Sequence, residues 1–185
     1  RAGLHADLAR SYALDDARAD IRVRDLHEVA QGQVFTLILP SGEAQIITRL
    51  LGRHNVYNLL LVGGVLSALG FPREQLSRPL IEAEPVAGRM QAVEPLPAAE
   101  AAAGPMVVVD YSHTPDSLER VLAALRPVVR ARGGKLVCVF GCGGGRDAGK
   151  RAQMGRIAAD GADRVIVTSD NPRGEAPQAI VREIM

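Results

Sequence analysis

A glycine-rich stretch over residues 135–151, KLVCVFGCGGGRDAGKR, constrains the fold of this chain more than any other feature. A short apolar run leads into five glycines within residues 141–149, here called the glycine loop, and then into a basic segment compatible with a helix. This order is typical of a buried strand, a tight loop and a helix start, and backbone N–H groups in such loops favour anions. Because Arg146, Lys150 and Arg151 add positive charge, we expect a ligand that carries a phosphate or a carboxylate.

Two nucleotide-binding motifs fit the same loop incompletely. Residues 144–151 read G-x-x-x-x-G-K-R, but Arg151 stands where a P-loop needs the hydroxyl that binds Mg²⁺. A dinucleotide fingerprint, G-x-G-x-x-A, starts at Gly143, but Arg146 would crowd the pyrophosphate and Asp170 lies further along than the roughly 20 residues expected. A third interpretation is a tight strand-to-helix turn with incidental basic residues.

The composition allows one domain or two small ones and excludes several classes of function. Of the 185 residues, 47% are apolar, which is enough for a core. The net charge of +1 does not indicate a basic protein that binds nucleic acid or an anionic membrane. No apolar run approaches the roughly 18 residues of a membrane span. We therefore expect no nucleic-acid or membrane partner.

The cysteines and histidines do not predict a metal site. Cys138 and Cys142 lack C-x-x-C spacing and are typical of reduced thiols in a cytoplasmic protein. The four histidines are scattered along the chain, at His5, His27, His54 and His113. We expect no metal ligands in this chain.

Both ends of the sequence suggest a piece of a longer protein. The chain begins at Arg1 without an initiator methionine and stops at Met185, inside an amphipathic run without a C-cap. A helix is normally closed by a stop signal, so we expect the natural chain to continue.

Residues 1–87 predict a hairpin and two helices. Apolar, β-prone runs surround residues 40–43, P-S-G-E, which favour a hairpin turn. A strongly apolar helix follows and ends near Gly70, and a more polar helix covers residues 73–83. The break at residues 85–88 is the candidate domain boundary, because proline and glycine punctuate linkers.

Asn55 and Asn58 lie three residues apart at the start of the first helix and therefore share one face. One interpretation is an N-cap, the usual role of an asparagine at a helix start. The other is a pair of amides that donate to and accept from the edge of an adenine. From spacing alone we favour the cap.

Residues 106–185 predict alternating strands and helices with a polar cluster after each strand. The first strand, Met106–Val109, is apolar enough to be fully buried, and Thr114 is a good N-cap for the following helix. Since the carboxyl ends of parallel strands meet at one edge of a sheet, the three polar clusters should share one rim.

A rim of this composition suits a zwitterionic ligand. The side chains that it would bring together are Asp110, His113, Arg146, Asp170 and Arg173. Carboxylates bind an ammonium group, and guanidinium forks bind a carboxylate. The alternative is that Asp110 and Asp170 only cap the turns that follow them.

Five motifs occur in the order and roughly the spacing found in one family of ligases. They are G-R-H-N-x-x-N at residues 52–58, G-R-M at 88–90, V-V-D-Y-S-H-T-P-D at 108–116, F-G-C-G-G at 140–144 and D-N-P-R at 170–173. On these motifs the chain resembles the Mur ligases over essentially its whole length. The D-N-P-R version looks like that of the members that add meso-diaminopimelate.

The resemblance implies an α/β architecture in two parts. Residues 88–185 would form most of a Rossmann-like C-terminal Mur ligase domain with a mainly parallel sheet. Residues 1–87 would be the C-terminal part of the central ATPase domain. The P-loop, the Mg²⁺ ligands and a carbamylated lysine of the family would lie upstream of Arg1, so the glycine loop is not expected to bind ATP as a P-loop.

The resemblance also implies an activity, ATP-dependent amide formation in peptidoglycan precursor synthesis. A cytoplasmic, monomeric enzyme would add meso-diaminopimelate to UDP-N-acetylmuramoyl-L-alanyl-D-glutamate through an acyl phosphate, using ATP and Mg²⁺. The isolated fragment should be inactive. Alternatives are a folylpolyglutamate-type or cyanophycin-type ligase, which D-N-P-R argues against, and a nucleotide-binding or interaction module without chemistry of its own.

The matching motifs assign the family's site residues to positions of this sequence. By resemblance, the nucleotide would be contacted by Asn55, Asn58, Arg89, Asp110, Tyr111 and His113. The amino-acid pocket would contain Arg146, Asp170, Asn171, Pro172 and Arg173. Arg173 would bind the distal carboxylate of diaminopimelate through its guanidinium. Lysine has no such carboxylate, and the relatives that add lysine lack this arginine. Further pocket residues are expected beyond Met185, and no catalytic residue is assigned within the chain.

Overall fold

The structure is a computed structural model that describes residues 10–93 and 104–185, without the side chain of Arg73. Two compact units divide between Ala87 and Gly88. The first contains β1 (Tyr12–Ala13), β2 (Ile21–Val29), β3 (Gly32–Leu39), β4 (Gly42–Thr48), α1 (Arg53–Ala68) and α2 (Arg73–Ile81). The second contains β5 (Gln91–Val93), β6 (Val107–Val109), α3 (Pro115–Ala131), β7 (Val137–Phe140), α4 (Lys150–Gly161), β8 (Arg164–Val167) and α5 (Pro177–Ile184).

A four-stranded sheet in the order β1-β2-β3-β4 forms the centre of the first unit. β1 runs parallel to β2, and the other pairs are antiparallel. The predicted hairpin consists of β3 and β4. Its pairing extends to Leu39 and Gly42, so Pro40 and Ser41 connect the strands and the turn is tighter than the predicted 40–43. Gly42 has φ 127°, a conformation that glycine adopts without steric cost, and this lets the chain reverse so sharply.

The core of the first unit lies between this sheet and its two helices. Side chains from β2, β3, β4, α1 and α2, with one from the segment before α1, form one buried cluster, at Ile21, Phe35, Leu37, Leu39, Ile46, Leu50, Val56, Leu59, Leu60, Leu76 and Leu80. α1 approaches the sheet closely at Gly64, where a Cβ would stand 2.5 Å from the Ile21 side chain. The apolar helix predicted from the sequence therefore packs through one face.

Replacing Leu60 by alanine should lower the free energy of unfolding by about 2–5 kcal/mol, because the side chain is fully buried and its loss leaves a cavity. Leu61, the next residue of α1, is 46% exposed and provides a matched control. Leu61→Ala should change the free energy of unfolding by less than about 0.5 kcal/mol. Urea denaturation of the full-length protein makes the comparison. Equal losses from the two substitutions would show that α1 packs through another face.

The second unit contains two pairs of strands. β7 and β8 are parallel, in register from Val137 with Arg164 to Phe140 with Val167, which confirms the expected parallel α/β arrangement. β5 and β6 are antiparallel. Within the described ranges no backbone pairing joins β6 to β7. The predicted row of three neighbouring parallel strands is therefore observed for β7 and β8 but not for β6.

Strands β6, β7 and β8 of the second unit are exposed on one side and buried or half-buried on the other. In β7, Cys138 is buried, whereas Val137 and Val139 are 47% and 61% exposed. In β6, Val107 and Val109 are 50% and 45% exposed, so the prediction of a fully buried first strand is wrong. The reason is that side chains alternate along a strand. Residues of α3, α4 and α5 form the buried cluster against one face of β7, and no element in the described part of the chain covers the other.

The ends of α3 follow the predicted signals. Thr114 Oγ1 accepts a hydrogen bond from the N–H of Ser117 at 3.3 Å, and Ser117 Oγ accepts one from the N–H of Thr114 at 3.1 Å, which is a capping box. After the helix, Gly133 adopts φ 63°, the left-handed conformation that favours glycine at this position. Neither α3 nor any other described helix is long and apolar enough to cross a membrane.

Candidate substrate-binding site

Two loops meet at the carboxyl ends of β7 and β8. The first is the glycine loop, and the second, here called the D-N-P-R loop, covers residues 168–176. Because β7 and β8 are parallel, both loops leave the same edge of the sheet. The N–H of Gly144 donates to the Asn171 carbonyl at 2.8 Å, and Arg173 Nη1 donates to the Gly144 carbonyl at 2.8 Å. The glycine loop is therefore bonded directly to the loop that carries D-N-P-R.

Close approach of the two backbones explains the glycines. A Cβ at Gly144 would stand 1.9 Å from the Pro172 carbonyl oxygen, and a Cβ at Gly141 would stand 2.4 Å from that of Thr168. Both distances are too short for any side chain to occupy these positions without moving the backbone. The sequence interpretation assigned the close approach to an anionic ligand, whereas in the structure the neighbouring loop occupies that space.

Three N–H groups of the glycine loop donate to acceptors within the protein. Gly145 donates to Glu175 Oε1 at 2.6 Å, and Gly149 donates to Asp147 Oδ1 at 2.9 Å, in addition to the bond from Gly144. The expectation that these N–H groups point at an anionic ligand is wrong for these three positions, because their acceptors are two carboxylates and one carbonyl of the chain itself. These three N–H groups are therefore not available to a carboxylate ligand at this edge.

The three basic residues in the second half of the glycine-rich stretch have different environments. Arg151 is 1% exposed and donates to two carboxylates of its own chain, so the prediction that it meets the ligand is wrong. Lys150 Nζ donates to the His113 carbonyl at 2.6 Å, which places the polar cluster after β6 beside the start of α4. Arg146 is exposed. Arg146 is thus the basic residue of this stretch that is best placed for a ligand.

Arg173 lies along the glycine loop. Its φ of 51° is left-handed, which is uncommon for a residue other than glycine. Its Nη1 atom donates to the Gly144 carbonyl, and the Asn171 carbonyl lies 3.5 Å from the same atom. Asp170, Asn171 and Arg173 are exposed, and Pro172 is half-buried. The loop therefore presents one carboxylate, one amide and one oriented guanidinium to solvent.

Asp110 holds the turn around it. Its Oδ2 atom accepts from the N–H of Met90 at 2.8 Å, and its Oδ1 atom accepts from the N–H of Ser112 at 2.9 Å and from the Ser112 hydroxyl. This is the turn-capping alternative that the sequence left open. Met90 is buried and has φ 47°, so Asp110 stabilises a left-handed residue directly after Arg89.

Arg89, Tyr111 and His113 form an exposed group beside this turn. The guanidinium carbon of Arg89 lies 5.0 Å from the centre of the Tyr111 ring, within the range of a cation–π interaction. The rings of Tyr111 and His113 meet edge-on with 5.4 Å between their centres. The group presents a positive charge and an aromatic surface, which suit a phosphorylated aromatic ligand.

Comparison with known proteins identifies the family. Residues 88–185 match the family model described as "Mur ligase, glutamate ligase domain", and residues 3–66 match "Mur ligase middle domain". The chain belongs to the Mur ligase family. Its two matched regions correspond to the middle and C-terminal parts expected from the motifs.

Curated Mur ligases share much of this sequence. The chain is 47% identical over 191 residues to the UDP-N-acetylmuramoyl-L-alanyl-D-glutamate--2,6-diaminopimelate ligase of Acidovorax sp. (strain JS42), which covers 100% of the chain and 36% of the relative. The protein of the same name from Pseudomonas aeruginosa is 45% identical over 174 residues, covering 94% of the chain and 34% of the relative. The chain thus spans about a third of the length of these relatives.

Solved structures agree with this assignment. A diaminopimelate ligase of the same name has a TM-score of 0.69 and 36% identity, over 95% of this chain and 34% of that one. A folylpolyglutamate synthase from Thermotoga maritima reaches a TM-score of 0.67 at 20% identity, over 90% of this chain and 38% of that one. The second similarity shows a common fold and nothing about the substrate.

The asparagine pair of this Mur ligase does not cap α1. The N-cap is Gly52, whose φ of 83° favours glycine, and the helix begins at Arg53, so the favoured interpretation of an asparagine cap is wrong. Asn55 Nδ2 instead donates to the Leu51 carbonyl at 2.9 Å, and Asn58 Nδ2 donates to Asn55 Oδ1 at 3.3 Å. The two amides do share one face, and Asn58 is exposed.

Sequence reasoning missed the acids that pair with Arg151. The guanidinium contacts Glu175 and Glu183, and its bond to Glu175, with one from a backbone N–H, lowers the pKa of that carboxyl to about 2. These bonds also raise the pKa of Arg151. A signal was present, since Arg151, Met154 and Ala158 have the i, i+3, i+7 spacing of a buried helix face. An arginine on such a face requires acidic partners.

The described residues of this Mur ligase contain no group of three histidine, cysteine, aspartate or glutamate side chains that could hold a metal ion. Cys138 and Cys142 are buried free thiols, and burial raises the pKa of both. A thiol with a raised pKa is a poor nucleophile, which fits the interpretation of both cysteines as reduced structural residues.

Proposed function

We propose that the full-length protein is an ATP-dependent ligase that adds meso-diaminopimelate to UDP-N-acetylmuramoyl-L-alanyl-D-glutamate in peptidoglycan precursor synthesis. The names of the relatives that match the chain support this activity. The observation that carries the substrate is the bond from Arg173 to the Gly144 carbonyl, which orients a guanidinium on the edge where Arg146 is exposed. We place the enzyme in the cytoplasm as a monomer.

The reaction requires activation because a carboxylate is a poor acyl donor at neutral pH. ATP transfers its γ-phosphoryl group to the D-glutamyl carboxylate and leaves as ADP, with Mg²⁺ held by residues expected upstream of this chain. The amine of diaminopimelate then attacks the carbonyl carbon, phosphate leaves, and the amine loses a proton. The residues of this chain contribute positioning, which brings amine and acyl phosphate into reacting geometry.

The proposed amino-acid pocket uses the edge shared by β7 and β8. Arg173 binds the distal carboxylate through the part of its guanidinium that faces solvent, and Arg146 supplies a second positive charge nearby. Asp170 and the side chain of Asn171 accept hydrogen bonds from the ammonium group. Pro172 keeps the loop in the conformation that brings its carbonyl against Gly144.

The first unit and the second unit each carry residues that we propose contact the nucleotide. Asn55 and Asn58 supply amides to the adenine, and Arg89, Tyr111 and His113 supply charge and aromatic surface. Asp110 acts through the turn that it caps, by holding the residue after Arg89 in place. No step of the chemistry is assigned to these residues beyond binding and orientation of the nucleotide.

The test measures release of phosphate by the full-length protein. Turnover should require ATP, the UDP-linked dipeptide and meso-diaminopimelate together, and lysine should replace diaminopimelate poorly, because it leaves the Arg173 guanidinium without its carboxylate. The isolated fragment should show no turnover. Equal kcat/KM for lysine and diaminopimelate, or glutamate addition to a folate, would overturn the proposal.

A further inference from the structure

Arg151 is a buried cation in a unit that is otherwise packed with apolar side chains. Its side chain is 2% exposed. Nη1 donates to Glu175 Oε2 at 2.9 Å and to Glu183 Oε2 at 2.7 Å, and Nη2 donates to Glu175 Oε1 at 2.9 Å. The bidentate contact with Glu175 fixes the orientation of that carboxylate as well as its charge.

Glu175 links the two loops of the candidate site. Its carboxylate accepts the N–H of Gly145 at 2.6 Å from the glycine loop, and its own N–H donates to the Pro172 carbonyl at 3.0 Å within the D-N-P-R loop. The anchor for both is Arg151 in α4. One ionised side chain therefore connects the two loops to a helix whose position is set by the core.

The two residues held in this way adjoin the arginines of the proposed pocket. Gly145 directly precedes Arg146, and Glu175 lies two residues after Arg173. Gly145 has φ 61°, and a Cβ there would stand 3.4 Å from Cδ of Arg173, so the arginine side chain lies against this glycine. A shift of Gly145 would therefore move both guanidinium groups.

Both oxygens of Glu175 are engaged with donors of the chain itself. Oε1 accepts from Gly145 and from Arg151, and Oε2 accepts from Arg151. The carboxylate thus makes three hydrogen bonds within the chain, and we infer that it acts on the substrate through the residues that it holds. Loss of the Glu175 carboxylate leaves Glu183 as the remaining carboxylate bound to the buried Arg151, which is unfavourable.

We propose that Glu175, held by Arg151, is a positioning residue that sets the geometry of Arg146 and Arg173 for the amino-acid substrate. The proposal rests on the proposed function. It predicts that Glu175 controls the affinity for the diamino acid and leaves binding of ATP unchanged.

Glu183 provides a matched control. It bonds to the same guanidinium, but it belongs to α5, and in the described residues its carboxylate contacts neither loop of the site. A purely structural role of the buried ion cluster predicts similar effects from both glutamates. A positioning role predicts an effect from Glu175 alone.

The experiment compares Glu175→Gln and Glu183→Gln in the full-length enzyme. Glu175→Gln should raise KM for meso-diaminopimelate about tenfold, the value of one charge-assisted hydrogen bond, while KM for ATP stays within about twofold of wild type. Glu183→Gln should leave both constants within about twofold. Parallel changes in both constants in the two variants, or an unchanged KM for diaminopimelate in Glu175→Gln, would refute the positioning role.

Hydrogen exchange separates this inference from the proposed function. Exchange of amides in residues 141–149 should become faster in Glu175→Gln than in Glu183→Gln, whether or not the enzyme accepts diaminopimelate. Equal protection of these amides in the two variants would also refute the proposal. If Glu175→Gln fails to fold, Glu175→Asp makes the same comparison, since it keeps the charge but withdraws it by one methylene.

Discussion

Replacing Arg173 by alanine in the full-length enzyme should lower kcat/KM for meso-diaminopimelate by about 100-fold or more. Hydrogen bonds to a charged group contribute about 1.5–3 kcal/mol each, and every 1.36 kcal/mol corresponds to about tenfold in rate. The substitution removes the guanidinium proposed to bind the distal carboxylate, and it also removes the bond to the Gly144 carbonyl. Initial rates of phosphate release against diaminopimelate concentration measure the effect.

Arg164 is the matched control for this prediction. It is an exposed arginine at the first residue of β8, at the opposite end of the strand from the D-N-P-R loop. Arg164→Ala should leave kcat/KM within about threefold of wild type, as expected for a surface substitution remote from the site. Arg173→Lys keeps the positive charge but loses the planar guanidinium that can bind a carboxylate through two hydrogen bonds. Its kcat/KM should therefore fall between those of wild type and Arg173→Ala. A near wild-type kcat/KM in Arg173→Ala would remove the argument for diaminopimelate specificity.

Replacing Gly144 by alanine should disrupt both loops of the site at once. The new Cβ would stand 1.9 Å from the Pro172 carbonyl oxygen, which is backbone and cannot rotate away. Relief of this overlap requires the loops to separate and breaks the bond between Gly144 and Asn171. Overpacking of this kind costs about 1–3 kcal/mol of stability or more. Calorimetry should show a lower Tm, and KM for diaminopimelate should rise steeply.

Gly174→Ala tests whether the effect of Gly144→Ala comes from overlap with the Pro172 carbonyl or from the loss of any loop glycine. A Cβ at Gly174 meets no atom within 4 Å, and its backbone does not lie in the left-handed region. Gly174→Ala should therefore leave Tm and kcat/KM close to wild type. If Gly144→Ala and Gly174→Ala change Tm and kcat/KM equally, the glycines of the site act by keeping the loops flexible. The close approach of the two loops would then not matter for activity.

Local signals predicted the elements of the fold well. The turn residues between β3 and β4, the capping signal at Thr114 and the glycine after α3 each act over a few residues. The structure confirms the last two positions and shows the turn within the predicted residues, but tighter. The asparagine cap at α1 failed for an equally local reason. Gly52 can adopt a positive φ and takes the N-cap position, which leaves Asn55 inside the helix.

Long-range features were predicted less well, because no local pattern encodes which segment packs against which. The apolar residues of β6 predict burial on both faces, yet Val107 is 50% exposed. The glycines of residues 141–149 indicated a close approach, but not that the partner is the Pro172 carbonyl. Their interpretation as a binding loop for an anionic ligand failed at Gly144, Gly145 and Gly149, because these N–H groups donate to acceptors in the neighbouring loop and at Asp147.

The sequence by itself determined the family, the order of most strands and helices, and the two arginines proposed for the pocket, since ordered motifs and local periodicity are read directly along the chain. Only the tertiary structure decided that Arg151 is a buried anchor and Arg146 an exposed residue. The two have the same side chain and lie five positions apart. Their difference arises because α4 turns one toward the core and its acidic partners, while the loop leaves the other in water.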